Sequence, residues 1–102
     1  MSFEIVVPDA VRERLLRAPE ELEDVVFQTL DRLALDSALG ESVFYGPLEG
    51  LQLLRVDVLV PLMSVGRLYK VGIAYDVDQE NHIIQILDIG SIRGEPADIF
   101  DF

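Results

Sequence analysis

The side chains best suited to chemistry in this 102-residue chain are the cations of its second half: Arg55, Arg67, Lys70 and Arg93. If they converged on one surface they could contact phosphate oxygens and stabilise charge developing on a phosphate. Strand alternation sets Arg67 and Lys70 on opposite faces, so full convergence is not expected. Scattered surface bases are the plain alternative. His82 is the single histidine. It follows a polar turn, with no Ser, Asp or second His at the spacing of a triad or metal site, and reads as an exposed turn-edge side chain. Asp76, Asp78 and Glu80 alternate into that turn. They lack the length, the central glycine and the late glutamate of a calcium loop, so they read as solvated turn acids. Gly40, Gly46 and Gly50 form no phosphate-binding motif. The absence of cysteine removes disulfides, thiolate zinc sites and a cysteine nucleophile. No metal and no cofactor is expected.

Charge narrows the partners further. Eight basic residues face nineteen acidic ones, a net charge of −11. Nucleic-acid affinity rests on neutralising phosphates, so this balance argues against DNA or RNA as a partner unless the few bases cluster. The same acidity favours solubility. Met1-Ser2-Phe3-Glu4 lacks the basic stretch of a secretion signal. The longest apolar run, Val56 to Val65, is broken by Asp57, Pro61 and Ser64, well short of the ~20 residues a membrane helix needs. A cytoplasmic protein with no membrane association is expected.

One domain of this length can bury a core without disulfides or metal. Phe3 to Val7 alternates and stops at Pro8, as a short strand would. Asp9 is placed to cap a helix over Ala10 to Ala18, whose buried stripe is Val11, Leu15 and Ala18. Pro19 ends it and serves as the first residue of a second helix running to about Ser37. There Glu20, Glu21, Glu23 and Asp24 crowd the positive end, and Leu22, Val25, Val26, Thr29, Leu30 and Leu33 share one face. Leu39 to Gly50 is a glycine-punctuated loop with a short extended piece at Val43 to Tyr45. Leu51 to Val60 is a strand with Leu54, Val56, Val58 and Val60 on one face. Pro61 to Gly66 connects it to a strand over Arg67 to Val77.

On that third strand Tyr69, Val71, Ile73, Tyr75 and Val77 form a uniformly large face, expected to pack on the helices. Leu68, Lys70, Gly72, Ala74 and Asp76 form a small, mixed face, expected to be open and concave. Asp78 to Asn81 joins it to a last long strand, His82 to Ile89, which is apolar on both faces and hides its register. Ile99 and Phe100 are placed to dock on the core. The fold class is α+β: an αα-hairpin packed on a mainly antiparallel four-stranded sheet.

This order of elements, β-α-α-β-β-β, resembles the RelE/ParE superfamily of bacterial type II toxins over most of the chain. Val71-Gly72-Ile73-Ala74-Tyr75-Asp76-Val77 is similar to the family's YRxxYxV strand. Ile83 to Gly90 is similar to its IxIxxIGxR strand, and Gly46-Pro47-Leu48-Glu49-Gly50 to the LxG step into its second strand. With Tyr75 on the second tyrosine of the motif, the family's catalytic arginine falls on Gly72 and the preceding tyrosine on Val71. The basic residues that RNA-cleaving members carry on the second strand fall near Gln52 to Arg55, where only Arg55 is charged. The late arginine corresponds to Arg93 within a residue or two, and the C-terminal tyrosine to Phe100.

The resemblance implies a toxin-family protein of a plasmid-stabilisation-like toxin–antitoxin system, with a cognate antitoxin or another protein as partner. Cleavage of mRNA on the ribosome needs cations that activate the 2′-hydroxyl and stabilise phosphate charge. Glycine supplies neither, so protein binding with degraded or absent nuclease activity is expected. An active mRNA interferase using Lys70, Arg55 and Arg93 is the enzymatic alternative. A non-toxic homo-oligomer reusing the fold is the third. Leu62 and Met63, in the apolar Val60 to Gly66 stretch, are the candidate partner contacts.

Overall fold

The computed structural model describes residues 2–62 and 65–102, with Leu62 described by its backbone. Met63 and the side chain of Leu62, the expected partner contacts, therefore lie outside the described residues. The chain runs β1 (Glu4–Val6), α1 (Asp9–Leu16), α2 (Glu20–Leu35), β2 (Glu41–Ser42), β3 (Gln52–Leu62), β4 (Val65–Asp78), β5 (Ile83–Arg93) and β6 (Asp98–Phe100). The four expected strands are present, and the short β2 and β6 extend the sheet.

Both helices start behind a proline. Pro8 and Pro19 take the N-cap positions with extended ψ angles of 149° and 142°, and no side chain caps either end. Asp9 is thus not a cap but the first helical residue, where its charge still favours the positive end of the helix. Pro19 likewise sits one position earlier than expected. It suits that place because it has no N–H to leave unpaired and a ring that fixes φ near helical values.

The sheet order is β1-β5-β4-β3-β2, with β6 also on β5. β4 lies antiparallel to both β3 and β5. The far edge of β5 is shared: β1 pairs in parallel with Ile83 to Gln85, and β6 pairs antiparallel with Ser91 to Arg93. The β3–β4 ladder runs without interruption from Gln52↔Tyr75 to Leu62↔Val65. Pro61 to Gly66 is therefore not a loose connection: strand pairing continues to Leu62 and resumes at Val65. The small extended piece of the 40s loop is Glu41–Ser42, ahead of the expected Val43 to Tyr45.

Both sides of the sheet are apolar. On one side Leu15, Leu22, Val26 and Leu33 of the helices bury Val71, Ile73, Tyr75, Ile84, Ile86 and Ile89. On the other, Leu48, Leu53, Ala74, Ala97 and Ile99 form a smaller cluster, with Val43, Leu51 and Ile92 packed around it. The face expected to be open is thus covered at its centre. Ile99 docks as expected, but Phe100 stays half exposed and Phe102 packs into the helix-side core instead. A bulge explains the double-sided β5. Tyr75 pairs with Ile86 while Ala74 pairs with Asp88, so Leu87 is an extra residue. Apolar residues then face the helices at Ile84 and Ile86 before it and at Ile89 after it.

Tyr75 fixes the 30s loop to the sheet. Its side chain is fully buried, and its hydroxyl donates to the carbonyl of Ser37 (2.9 Å) while accepting the N–H of Gly40 (2.9 Å). Burial pushes its pKa above the usual 10.0, against the opposing pull of the Gly40 N–H. Tyr75→Phe strands both backbone groups and is expected to cost about 1–3 kcal/mol in urea unfolding. The raised pKa adds a pH signature. The folded state resists ionisation, so the contribution of Tyr75 is complete below about pH 10 and is lost as pH rises through the folded pKa. The alkaline fall in stability is therefore expected to be shallower in Tyr75→Phe than in the parent chain.

Candidate functional site

Two of the four second-half cations, Arg55 and Lys70, share the sheet face away from the helices, and a third, Arg93, borders the same depression. In the β3–β4 ladder Arg55 lies opposite Gly72, and Asp57 opposite Lys70. Strand alternation then sends Arg55, Asp57 and Lys70 to that face. Arg93 approaches from the end of β5. Arg55, Lys70 and Arg93, with Ile92 and Gly94, line a shallow depression of about 150 Å³. Arg67 points the other way, its guanidinium carbon 4.7 Å from the centre of the Tyr69 ring. Among the described residues, Arg55, Lys70 and Arg93 make no salt bridge; the ion pairs found belong to Arg14 and Arg17.

Phe100 steadies one of the three. The Arg93 guanidinium carbon lies 5.2 Å from its ring centre, a cation–π contact that directs the charge without neutralising it. Phe100 has no hydroxyl, so the position that the resemblance assigns to a tyrosine supplies a stacking surface only.

Arg55 also borders a second depression of about 200 Å³, shared with Glu41, Ser42, Val43, Phe44, Tyr45 and Glu95. Phe44 is 80% exposed. The Tyr45 hydroxyl donates to the Glu95 carboxylate. That bond, together with the negative charge of Glu95, raises the Tyr45 pKa above its usual value. The sequence reading missed this rim. Its signal was the adjacent pair Phe44-Tyr45 inside a loop otherwise made of turn residues.

The remaining sequence candidates are structural. His82 sits at the other end of β5, with φ 54°. Its carbonyl accepts the N–H of Glu4 (2.9 Å) and its ring lies 5.1 Å from that of Phe3. Asp78 holds the β4–β5 turn together. It accepts the Asn81 side-chain amide (2.8 Å) and the backbone N–H groups of Glu80 and Asn81 (both 3.1 Å). These bonds, the Asn81 side chain first, lower its pKa. Among the described residues no three His, Asp or Glu side chains gather as a metal site.

The chemistry open to the depression is anion binding. Arginine keeps its proton at any working pH, and no histidine lies among the residues that line the depression. Beside it, the position of Gly72 is closed by packing. A Cβ built on Gly72 would lie 3.2 Å from Ile92 Cβ, 3.3 Å from Ile99 Cγ1 and 3.4 Å from Leu53 Cδ1. An arginine here would have to part that cluster. Gly72→Arg is expected to lower stability by at least about 2 kcal/mol, from overpacking and a poorly solvated charge, measured by urea unfolding.

The sequence matches no protein-family model and no curated protein. Solved structures do match by shape. One is a chain of the toxin–antitoxin complex RelBE2 from Mycobacterium tuberculosis, with a TM-score of 0.69 at 15% identity, covering 89% of this chain and 99% of that one. Another is the E. coli toxin RelE, an arginine-to-alanine double mutant in the free state, with a TM-score of 0.60 at 11% identity, covering 89% of this chain and 84% of that one. Among the described residues no helix is long and apolar enough to cross a membrane.

Proposed function

We propose, from the RelE/ParE toxin fold these likenesses establish, that the chain is a toxin-family protein of a type II toxin–antitoxin system. In this reading it acts by binding protein, an antitoxin or a target, and retains little or no nuclease activity. The packing over Gly72 carries the reading. The resemblance places the catalytic arginine at this residue, and Leu53, Ile92 and Ile99 close over it. Losing one electrostatic stabiliser of a phosphate transition state costs roughly 10²–10³ in rate. The hydroxyl of the C-terminal tyrosine that the resemblance places at Phe100 has no counterpart either.

A second reading rests on one observation. Arg55, Lys70 and Arg93 surround a single depression, and among the described residues none is paired with an acid. Free cations so placed suit phosphate, and with it an mRNA interferase built on different residues.

Controlled expression in a bacterial host separates the two. The protein-binding reading expects any growth arrest to survive the combined substitution Arg55→Ala, Lys70→Ala and Arg93→Ala. It also expects co-expression of an adjacent antitoxin gene to relieve that arrest. Arrest abolished by Lys70→Ala or Arg93→Ala alone, in a chain that still folds, favours the interferase.

A further inference from the structure

The outer edge of β3 is open. β2 pairs only with Gln52 and Leu53, and no described strand lies beside Leu54 to Leu62. The Val43 N–H donates to the Leu51 carbonyl (3.0 Å) across that edge. The β3–β4 register is unbroken, so alternation turns the main-chain groups of Leu53, Arg55, Asp57, Leu59 and Pro61 outward as well. Pro61 then removes no donor from the ladder, which is where a strand tolerates proline. The same stretch carries exposed apolar surface. Leu59 is 66% exposed and its cross-strand partner Leu68 56%. The Leu59 side chain leans over Gly66, where a Cβ would lie 2.9 Å from its Cδ1.

An unpaired edge is a template for another strand, and here Asp57 and Pro61 restrict which strand can add. The order of its residues says which strand. Read outward from Leu59 in Val56-Asp57-Val58-Leu59-Val60-Pro61-Leu62, Val58 matches Val60 and Val56 matches Leu62, while Asp57 is set against an uncharged Pro61. A two-fold interface requires such self-complementarity, whereas a strand of different sequence does not. We propose that the β3 edge is a dimer interface at which two copies of this chain pair antiparallel about Leu59.

In this register Leu59 exchanges reciprocal N–H···O=C bonds with Leu59 of the second copy. The Asp57 N–H donates to the Pro61 carbonyl across the seam, and the missing proline N–H removes one bond on each side. Each Asp57 faces an uncharged Pro61 rather than another Asp57, and keeps Lys70 beside it in its own ladder. The two Leu59–Leu68 pairs merge into one apolar patch, and the sheet runs continuously through both copies. Every copy carries a charge of −11, so overall repulsion opposes the pairing and added salt strengthens it.

Sedimentation of the full chain at about 0.5 M NaCl, where repulsion is screened, is expected to show a dimer. Leu59→Lys is expected to raise its dissociation constant at least about tenfold. Phe44→Ser, at a more exposed site off the edge, should leave it unchanged, and both variants should keep the parent Tm at concentrations where the parent is monomeric. Because the chain has no cysteine, single substitutions also report the register. Paired Cα atoms across an antiparallel seam lie within disulfide reach. Oxidation is expected to cross-link Leu59→Cys with itself, and Asp57→Cys with Pro61→Cys, but not Asp57→Cys with itself.

A chain that stays monomeric at about 100 μM, well above the dissociation constants of weak specific dimers, overturns the proposal. So does a dimer indifferent to Leu59→Lys, or Asp57→Cys cross-linking as fast as Leu59→Cys. If another protein fills the edge, the chain alone is monomeric and the Leu59 amide gains exchange protection only with that partner, which also overturns it. None of these outcomes depends on the toxin-family reading.

Discussion

Two glycines paired across strands set the thickness of this molecule. Gly72 of β4 lies opposite Gly90 of β5, and both are buried. A Cβ on Gly90 would collide with the Phe100 carbonyl and come within 2.8 Å of Ile99 Cγ2. Without side chains at this pair, β6 can fold back along β5, and Ile92 and Ile99 can lie flat on the sheet. That contact creates the second apolar cluster and leaves Val71 to Tyr75 buried on both faces. β4 is thus the central strand of a sheet with the helices on one side and, on the other, a smaller apolar cluster to which the 40s loop and the C-terminal segment both contribute. The cost falls on chemistry. The middle of the face that could receive a substrate is given to packing, and the cations are left around its margin.

The distribution of charge follows the same division. On the helix side Arg14 donates to the Asp88 carboxylate (2.6 Å) and to the Ile89 carbonyl (3.0 Å), with Asp101 at 3.7 Å. This ties α1 to β5 and to the end of the chain. The bulge at Leu87 places Asp88 immediately before Ile89, so charge and apolar side chain both serve the helix layer. Arg55, Lys70 and Arg93 form no such bridges among the described residues, in a chain that carries nineteen acids. Asp57 lies opposite Lys70 and Asp98 opposite Arg93, so acids flank these cations as well. The surrounding charge disfavours an extended polyanion.

The parts of the fold governed by a simple period were legible in the residues. The alternation of Tyr69 to Val77 gave the helix-packed face of β4, the i, i+4 spacing of Val11 and Leu15 gave the buried side of α1, and parity separated Arg67 from Lys70. That Arg93 borders the depression of Arg55 and Lys70 was not legible: the one-residue bulge sets Arg93 in step with Ile89 and Ser91, on the helix side of β5, and it meets the depression only at the end of the strand. The cover over Gly72 was hidden because Ile99 reaches it only where β6 turns back along β5, and that segment has no periodic pattern. Glycine and alanine on a strand face suggest an open surface equally well when they make room for a neighbouring segment. The helix caps were missed because proline at an N-cap works by conformation, not by the side-chain hydrogen bond that made Asp9 attractive.

The account rests on the claim that the covered centre of this face leaves no competent RNase site. Incubating the purified chain with mRNA on programmed ribosomes, and resolving the RNA by length, tests that claim most directly. The account predicts full-length mRNA at protein concentrations that saturate any binding. Discrete cleavage products that disappear with Arg55→Ala, Lys70→Ala or Arg93→Ala would contradict it.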